Sequence, residues 1–470
     1  MKSRPWITIL LLTLLAVLAQ GVAIAAIAAR RGSPAAYAYQ SPDSAEYVAF
    51  ARGLARQGRY LPIDATGRLL PYANTWRTPG YPAFLAIVVR LFGDDALTLL
   101  LAQQLLAAAT VPLAYVLIRR FAAGRWAVLA SAVWALDPFR LYYSQWLMAE
   151  TLFIFVLLIA ACAWVHTDRS QWTYRRSVLL GVVTGIAVLV RPIGLVVPPL
   201  AWLGVWLTAR HRSPSRARSG GICLALACAA GTSAVVGPYL VRNRIVAGHF
   251  ALTPQTGPSF AYHKVVDVVL CSQGQSRYRF DTQTLDEVRA QIDCRLQTQW
   301  EREYGPLTPA QREALTFAKL NFGEAESVDP FAASSLLWSV GLELLADRPW
   351  ALVQCFVAQG VKMLIFPLGL VLFPPDGEGA APLSTLLGPG STAAGAVAAA
   401  LGLYYTALIL AVCARLIAAA RRRHWPGHFF VIGPMLTLFV LTLPFEDPRF
   451  RLPLVPFLLL LAVGRQVRHS

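Results

Sequence analysis

Three separated groups of charged residues in this chain are of types that do chemistry. SPDSAEYVAF (41–50) carries Asp43 with Glu46 three residues on. NTWRTPGYPAFLAIVVRLFG (74–93) carries Arg77 just ahead of a Pro-Gly-Tyr-Pro turn, and DPFRLYYSQWLMAETLF (137–153) carries Glu150 at the edge of an apolar run. A carboxylate can accept a proton from a hydroxyl nucleophile. A guanidinium offers forked, charge-assisted hydrogen bonds to phosphate oxygens. Each residue also has a plainer reading. Asp43 followed by Glu46 matches an N-cap and N3 acid, a capping-box-like helix start, and locally that role leads. Arg77 could snorkel into lipid headgroups. Glu150 could be the structural partner of a nearby Arg, although an acid at that depth is a functional candidate.

The elements that must position these groups lie in a membrane. Of the 470 residues, 56% are hydrophobic and 14% charged, and the mean hydropathy is +0.51. A soluble chain could not hide that much apolar surface, so repeated spans are expected. The net charge of +17 sits mainly in short Arg clusters between apolar runs. That is the positive-inside pattern, and no nucleic-acid partner is expected. The first run, 6–29, reads as an uncleaved anchor with a cytoplasmic N-terminus rather than a signal peptide. Further runs fall at about 97–118, 126–146, 149–166, 177–192, 194–209, 220–240, 394–419, 428–445 and 451–465, the 177–192 and 194–209 pair being short for spans. The run 351–373 would reverse the later topology if it crossed alone; it is interfacial, re-entrant or paired with 331–346. No internal repeat is evident, which weakens a transporter built on two related halves.

The expected fold is an all-α polytopic membrane protein with about 10–12 transmembrane helices. Two polar stretches face outward: a first loop at 30–96, carrying amphipathic interfacial helices, and a larger one at about 242–330. The expected organisation is a catalytic transmembrane module at 1–240, a loop or small subdomain at 241–348 and a C-terminal transmembrane region at 349–470. Of seven cysteines, Cys271 and Cys294 share the large polar segment, where a disulfide is one option. No D-x-D in the outer loops and no H-E-x-x-H suggests a metal, and His424 and His428, separated by Pro426 and Gly427, are poor ligands. His249 and His263 read as surface or structural residues.

The order Asp43, RTPGYP, AETLF, RPIGLVVPP (191–199), PYLVRN (238–243) and EDPRFRLPLVP (446–456) resembles the GT-C membrane glycosyltransferases. Within them it is most similar to the group that uses polyprenyl-phosphate-linked sugars: protein O-mannosyltransferases, lipid A aminoarabinose transferases and rhizobial lipopolysaccharide galacturonosyltransferases. The resemblance covers most of the chain and is weakest across 260–390. It implies a bacterial inner-membrane, multi-pass enzyme with a periplasm-facing site. There a sugar would leave a polyprenyl phosphate for an envelope lipid, glycan or protein, by inverting displacement and with no cofactor beyond the lipid-linked donor. It further implies Asp43 as general base, Glu150 as a second catalytic acid and Arg77 on the lipid phosphate. Tyr81, Arg242, Arg449 and Arg451 are the remaining candidates for substrate binding. The family's second acid is often Asp, so Glu150 departs from the pattern. A transporter or flippase for a lipid-linked anion is the alternative; it would place charges at mid-span rather than in outer loops and at span edges.

Overall fold

The computed structural model describes residues 5–166, 172–210, 217–274, 282–365, 392–421 and 452–464. Every named element among them is helical, and the one β pairing there is an isolated bridge between Ile63 and Leu69. Roughly 20 apolar residues at about 1.5 Å rise match a hydrocarbon thickness of about 30 Å. Among the described residues, four helices contain a stretch long and apolar enough to cross: α1 (Pro5–Arg31), α5 (Ala96–Arg119), α11 (Ala217–Ala247) and α19 (Thr392–Arg421). The α1 stretch is 17% buried and turns Leu10, Leu14 and Leu18 outward, whereas that of α5 is 56% buried. Helix α5 is central because α1, α4 (Gly80–Phe92), α6 (Gly124–Ala135) and α8 (Ala149–Val165) all pack on it.

The run 126–146, expected as one crossing segment, is two helices. Helix α6 stops at Ala135 and α7 (Pro138–Tyr143) restarts, since Asp137 accepts the Arg140 backbone N–H at 3.0 Å as N-cap and Pro138 takes the first helical position. The Arg140 side chain donates to the Trp134 and Ala135 carbonyls, at 2.9 and 2.6 Å, satisfying the end of α6. The short hairpin is α9 (Tyr174–Val190), a 3-10 turn (Pro192–Val196) and α10 (Val197–Arg210); its α-helices of 17 and 14 residues lie at and below the short end of the crossing range. The main core gathers α1, α4, α5, α6, α8, α19 and α20 (Val455–Val463), together with α3 (Pro42–Gln57).

A second core lies between residues 261 and 344. Its centre is a π-helical turn (Phe260–Val265) leading into α13 (Val266–Ser272), packed against α14 (Thr282–Tyr304) and α17 (Pro330–Ala346). The apolar stretch 331–346 is thus the inner wall of this unit, with Ala333, Leu337, Val340 and Leu344 buried. Helix α18 (Pro349–Ile365) follows on α13; residues 366–373 and the run 428–445 lie outside the described residues, as do His424 and His428. Cys271 and Cys294 are not joined to each other, so the optional disulfide is not formed. His249 pairs with Asp329 at 2.6 Å and stacks on Phe331, while His263 meets the Asn321 side chain at 2.9 Å.

Candidate active site

Helix α3 does not start as the local pattern suggests. Its N-cap is Ser41, which makes no side-chain capping bond, and Pro42 occupies the first helical position. Proline suits that place because its missing N–H is one the helix leaves unpaired there. Asp43 therefore stands inside the first turn, and the capping role is overturned. A carboxylate there still gains from the helix dipole. Three residues apart, Asp43 and Glu46 share one face, and both reach Arg77.

The Arg77 Nη2 lies 2.7 Å from Asp43 Oδ1 and 2.5 Å from Glu46 Oε2, and Arg77 Nε donates to the same Glu46 oxygen at 2.5 Å. Side-chain exposure separates the two acids: Glu46 is 3% exposed and Asp43 29%. Glu46 is a buried strut, and Asp43 is the carboxylate that stays open to the surroundings. Burial pushes the Glu46 carboxyl up to about 7; Arg77 pulls against that rise, and Asp43 adds to it. The Tyr47 ring lies 5.0 Å from the guanidinium carbon, a cation–π contact.

The short loop bearing Arg77 is tied down from three directions. Tyr60 and Tyr239 both donate their hydroxyls to the Arg77 carbonyl, at 2.9 and 3.0 Å. Thr253 donates to the Trp76 carbonyl at 2.5 Å. Arg242 donates to the Asn74 and Tyr60 carbonyls, each at 3.0 Å, and to Asn243 Oδ1 at 2.9 Å. The structure thus places Arg242 as a brace of the loop. From the second core's side, the Ala73 N–H donates to the Gly323 carbonyl at 2.9 Å. Gly323 has φ +74, and a Cβ added there would come within 2.6 Å of the Trp76 ring, so only glycine fits both the backbone and the contact.

Within electrostatic reach of Tyr47, Glu150 in the first turn of α8 forms an ion pair with Arg191, the C-terminal cap of α9. In the sequence Arg191 opens the motif RPIGLVVPP and is not among the candidate site residues. Its signal was an arginine followed by proline at the end of an apolar run, where a charge needs a partner. Gly80 joins the two regions: a Cβ there would sit 2.5 Å from the Val190 N, so glycine alone lets the start of α4 abut the end of α9. Tyr81 is fully buried, edge-on to Tyr47 at 4.9 Å, and its hydroxyl donates to Gln103. Gln103 in turn donates to the Ser144 carbonyl at 2.8 Å. A small cavity beside Glu150 is lined by Thr110, Trp134, Arg140, Tyr143 and Ser144. Arg449 and Arg451 lie outside the described residues.

The structure therefore brings Asp43, Arg77, Tyr81 and Arg242 into one continuous network, with Glu46 as an added member and the Glu150–Arg191 pair beside it. One guanidinium shared by two carboxylates carries a net charge near −1 when both are ionised. That arrangement suits a held base, and it leaves Arg77 less able to attract an anion than a lone arginine would be.

Residues 76–236, about a third of the chain, match a family model described as dolichyl-phosphate-mannose-protein mannosyltransferase. No curated protein matches the sequence. Among solved structures, the chain is similar to ArnT from Cupriavidus metallidurans bound to undecaprenyl phosphate, with 14% identity and a TM-score of 0.36, covering 94% of this chain and 78% of that one. It is also similar to the archaeal oligosaccharyltransferase AglB from Archaeoglobus fulgidus in complex with an inhibitory peptide and a dolichol-phosphate. There the identity is 13% and the TM-score 0.46, and the match covers 97% of this chain but spans about half, 49%, of AglB. The family match spans the stretch that holds RTPGYP, AETLF and RPIGLVVPP, three of the motifs on which the resemblance rests.

Proposed function

We propose, from a family match that supports a GT-C glycosyltransferase, that the chain moves a sugar from a polyprenyl-phosphate carrier to an envelope lipid, glycan or protein on the periplasmic face of the inner membrane. The observation that carries the reading is Asp43: it caps no helix, keeps 29% of its side chain exposed and is held by a buried arginine. In the proposed reaction Asp43 takes the proton of the acceptor hydroxyl as that oxygen bonds to the anomeric carbon. The bond from that carbon to the phosphate oxygen breaks, and the polyprenyl phosphate leaves with the electron pair. Base and phosphate on opposite faces of the sugar invert the anomeric centre.

Charge grows on the leaving phosphate, so donors that meet it there stabilise the transition state more than the ground state. Arg449 and Arg451 are proposed for that duty, and Arg77 is proposed to orient Asp43 and to add its positive charge near the phosphate. Glu150 is proposed as the second acid of the site, its carboxylate set by Arg191. Tyr81 and Arg242 are proposed to shape the donor pocket through the walls they brace.

The test is mass spectrometry of envelope glycolipids and glycans from a deletion strain complemented with wild type or Asp43→Asn at matched protein levels. Asp43→Asn is expected to leave an acceptor one sugar short, as the deletion does, with turnover lower by about 10²- to 10⁴-fold. Full restoration of the sugar by Asp43→Asn refutes the base assignment. An unchanged sugar inventory in the deletion itself refutes the transferase.

A further inference from the structure

The network around Asp43 holds a carboxylate, Glu46, that the proposed reaction does not use. Glu46 is nearly inaccessible, yet it occupies Arg77 more completely than Asp43 does: it takes Nε and also shares Nη2, whereas Asp43 meets Nη2 alone. A residue so buried touches no substrate. We propose that Glu46 is a positioning residue that fixes the plane of the Arg77 guanidinium and divides its charge, so that Asp43 is aimed by an arginine without being stripped of its basicity. This rests on the reading of Asp43 as the general base.

The electrostatic argument follows from the order of the groups. An opposite charge in contact with a carboxylate lowers its proton affinity, and a second carboxylate nearby raises it. With Arg77 paired to Asp43 alone, Asp43 would be a weak base. Glu46 draws part of that positive charge to itself and adds a like charge three residues away on the same helix face. Both effects act in one direction, keeping Asp43 a better proton acceptor. The groups that face Glu46 come from every element around it: Asp43 from its own helix, Arg77 and Tyr72 from the loop, and Glu324 from the second core's side. Burial and those acids hold the Glu46 carboxyl up near 7, so near neutral pH part of the population carries a neutral Glu46. Raising the pH therefore converts the site to the form in which Glu46 competes for Arg77.

The experiment is a pH profile of initial rate with purified protein. Detergent-solubilised membranes of the deletion strain supply both native substrates, and mass spectrometry reads the gain of sugar on the acceptor from pH 5 to 9. Glu46→Gln keeps shape and an acceptor oxygen for the Nε donor while removing the charge. Its expected result is a profile that follows wild type below about pH 6, where Glu46 already carries its proton, and falls behind it by roughly 3- to 10-fold at pH 8 to 9, where only wild type has the Glu46 charge that keeps Asp43 basic. Glu46→Asp retains a titrating charge but is too short to reach Nε; it is expected to lower the rate while keeping a rise towards high pH. If Glu46→Gln does not accumulate, the Asp variant alone decides: a wild-type rate at every pH overturns the proposal. So does a Glu46→Gln profile scaled down by the same factor at every pH, which marks a residue needed only for folding. Asp43→Asn is run in parallel. If it keeps the wild-type rate the base assignment falls, whereas an inactive Asp43→Asn beside an unchanged Glu46→Gln removes only the positioning role.

Discussion

Replacing Glu46 by Gln is expected to change how stability depends on pH, and the structure sets the size of the change. The carboxyl titrates at about 7 in the folded protein against an ordinary 4.5. Between those values the folded state holds more protons than the unfolded one, so stability falls as pH rises and levels off above the folded value. One pKa unit is worth about 1.36 kcal/mol. Integrating the linkage relation from pH 5.5 to pH 8 with those two values gives a loss on the order of 2 kcal/mol from this one group. Gln does not titrate, so the wild-type curve should fall relative to the Glu46→Gln curve by about that amount over that range, while titrating groups that do not touch Glu46 cancel in the difference. The assay is unfolding of both proteins in nanodiscs at a series of pH values, followed by tryptophan fluorescence. A wild-type-minus-variant gap that stays flat from pH 5.5 to 8 refutes the reasoning, because Glu46 would then be ionised throughout and Arg77 would have outweighed burial. A gap that changes in the opposite direction, with wild type gaining as pH rises, refutes it more strongly.

Two further outcomes are expected. Gly323→Ala forces a side chain into a left-handed backbone at about 1–2 kcal/mol and into the Trp76 ring; because Trp76 precedes Arg77, turnover should drop by roughly 10- to 100-fold, and circular dichroism should show the helices retained. Glu150→Leu takes the buried carboxylate partner away from the half-buried Arg191 and should cost about 1–3 kcal/mol, whereas Glu150→Leu with Arg191→Leu should recover most of that loss. Thermal unfolding in nanodiscs reads the recovery, and sugar transfer should stay low in both variants; a double variant with wild-type transfer would show that Glu150 has no catalytic duty.

The sequence by itself determined that this is a helical membrane protein, because apolar stretches such as those in α1, α5, α11 and α19 have no stable alternative in lipid. It also marked Asp43, Arg77 and Glu150, since charges at the edges of apolar runs are costly unless they are used or paired. What they pair with was decided by the tertiary structure. Local spacing read Asp43 and Glu46 as a cap; Pro42 moved the helix start back by two residues, and the shared face then met an arginine more than thirty positions away. The run around 126–146 looked continuous to a hydropathy scan, yet Asp137 and Pro138 divide it. Arg191 and Glu150 lie 41 residues apart in the chain, and they meet because α8 packs on α9. Arg242 had the residue type of a phosphate ligand, but its donors face backbone carbonyls that only the folded loop brings to it. Periodicity and desolvation act over a few residues and are written locally; the partner of a buried charge is set by which helices pack, and packing is a property of the whole chain.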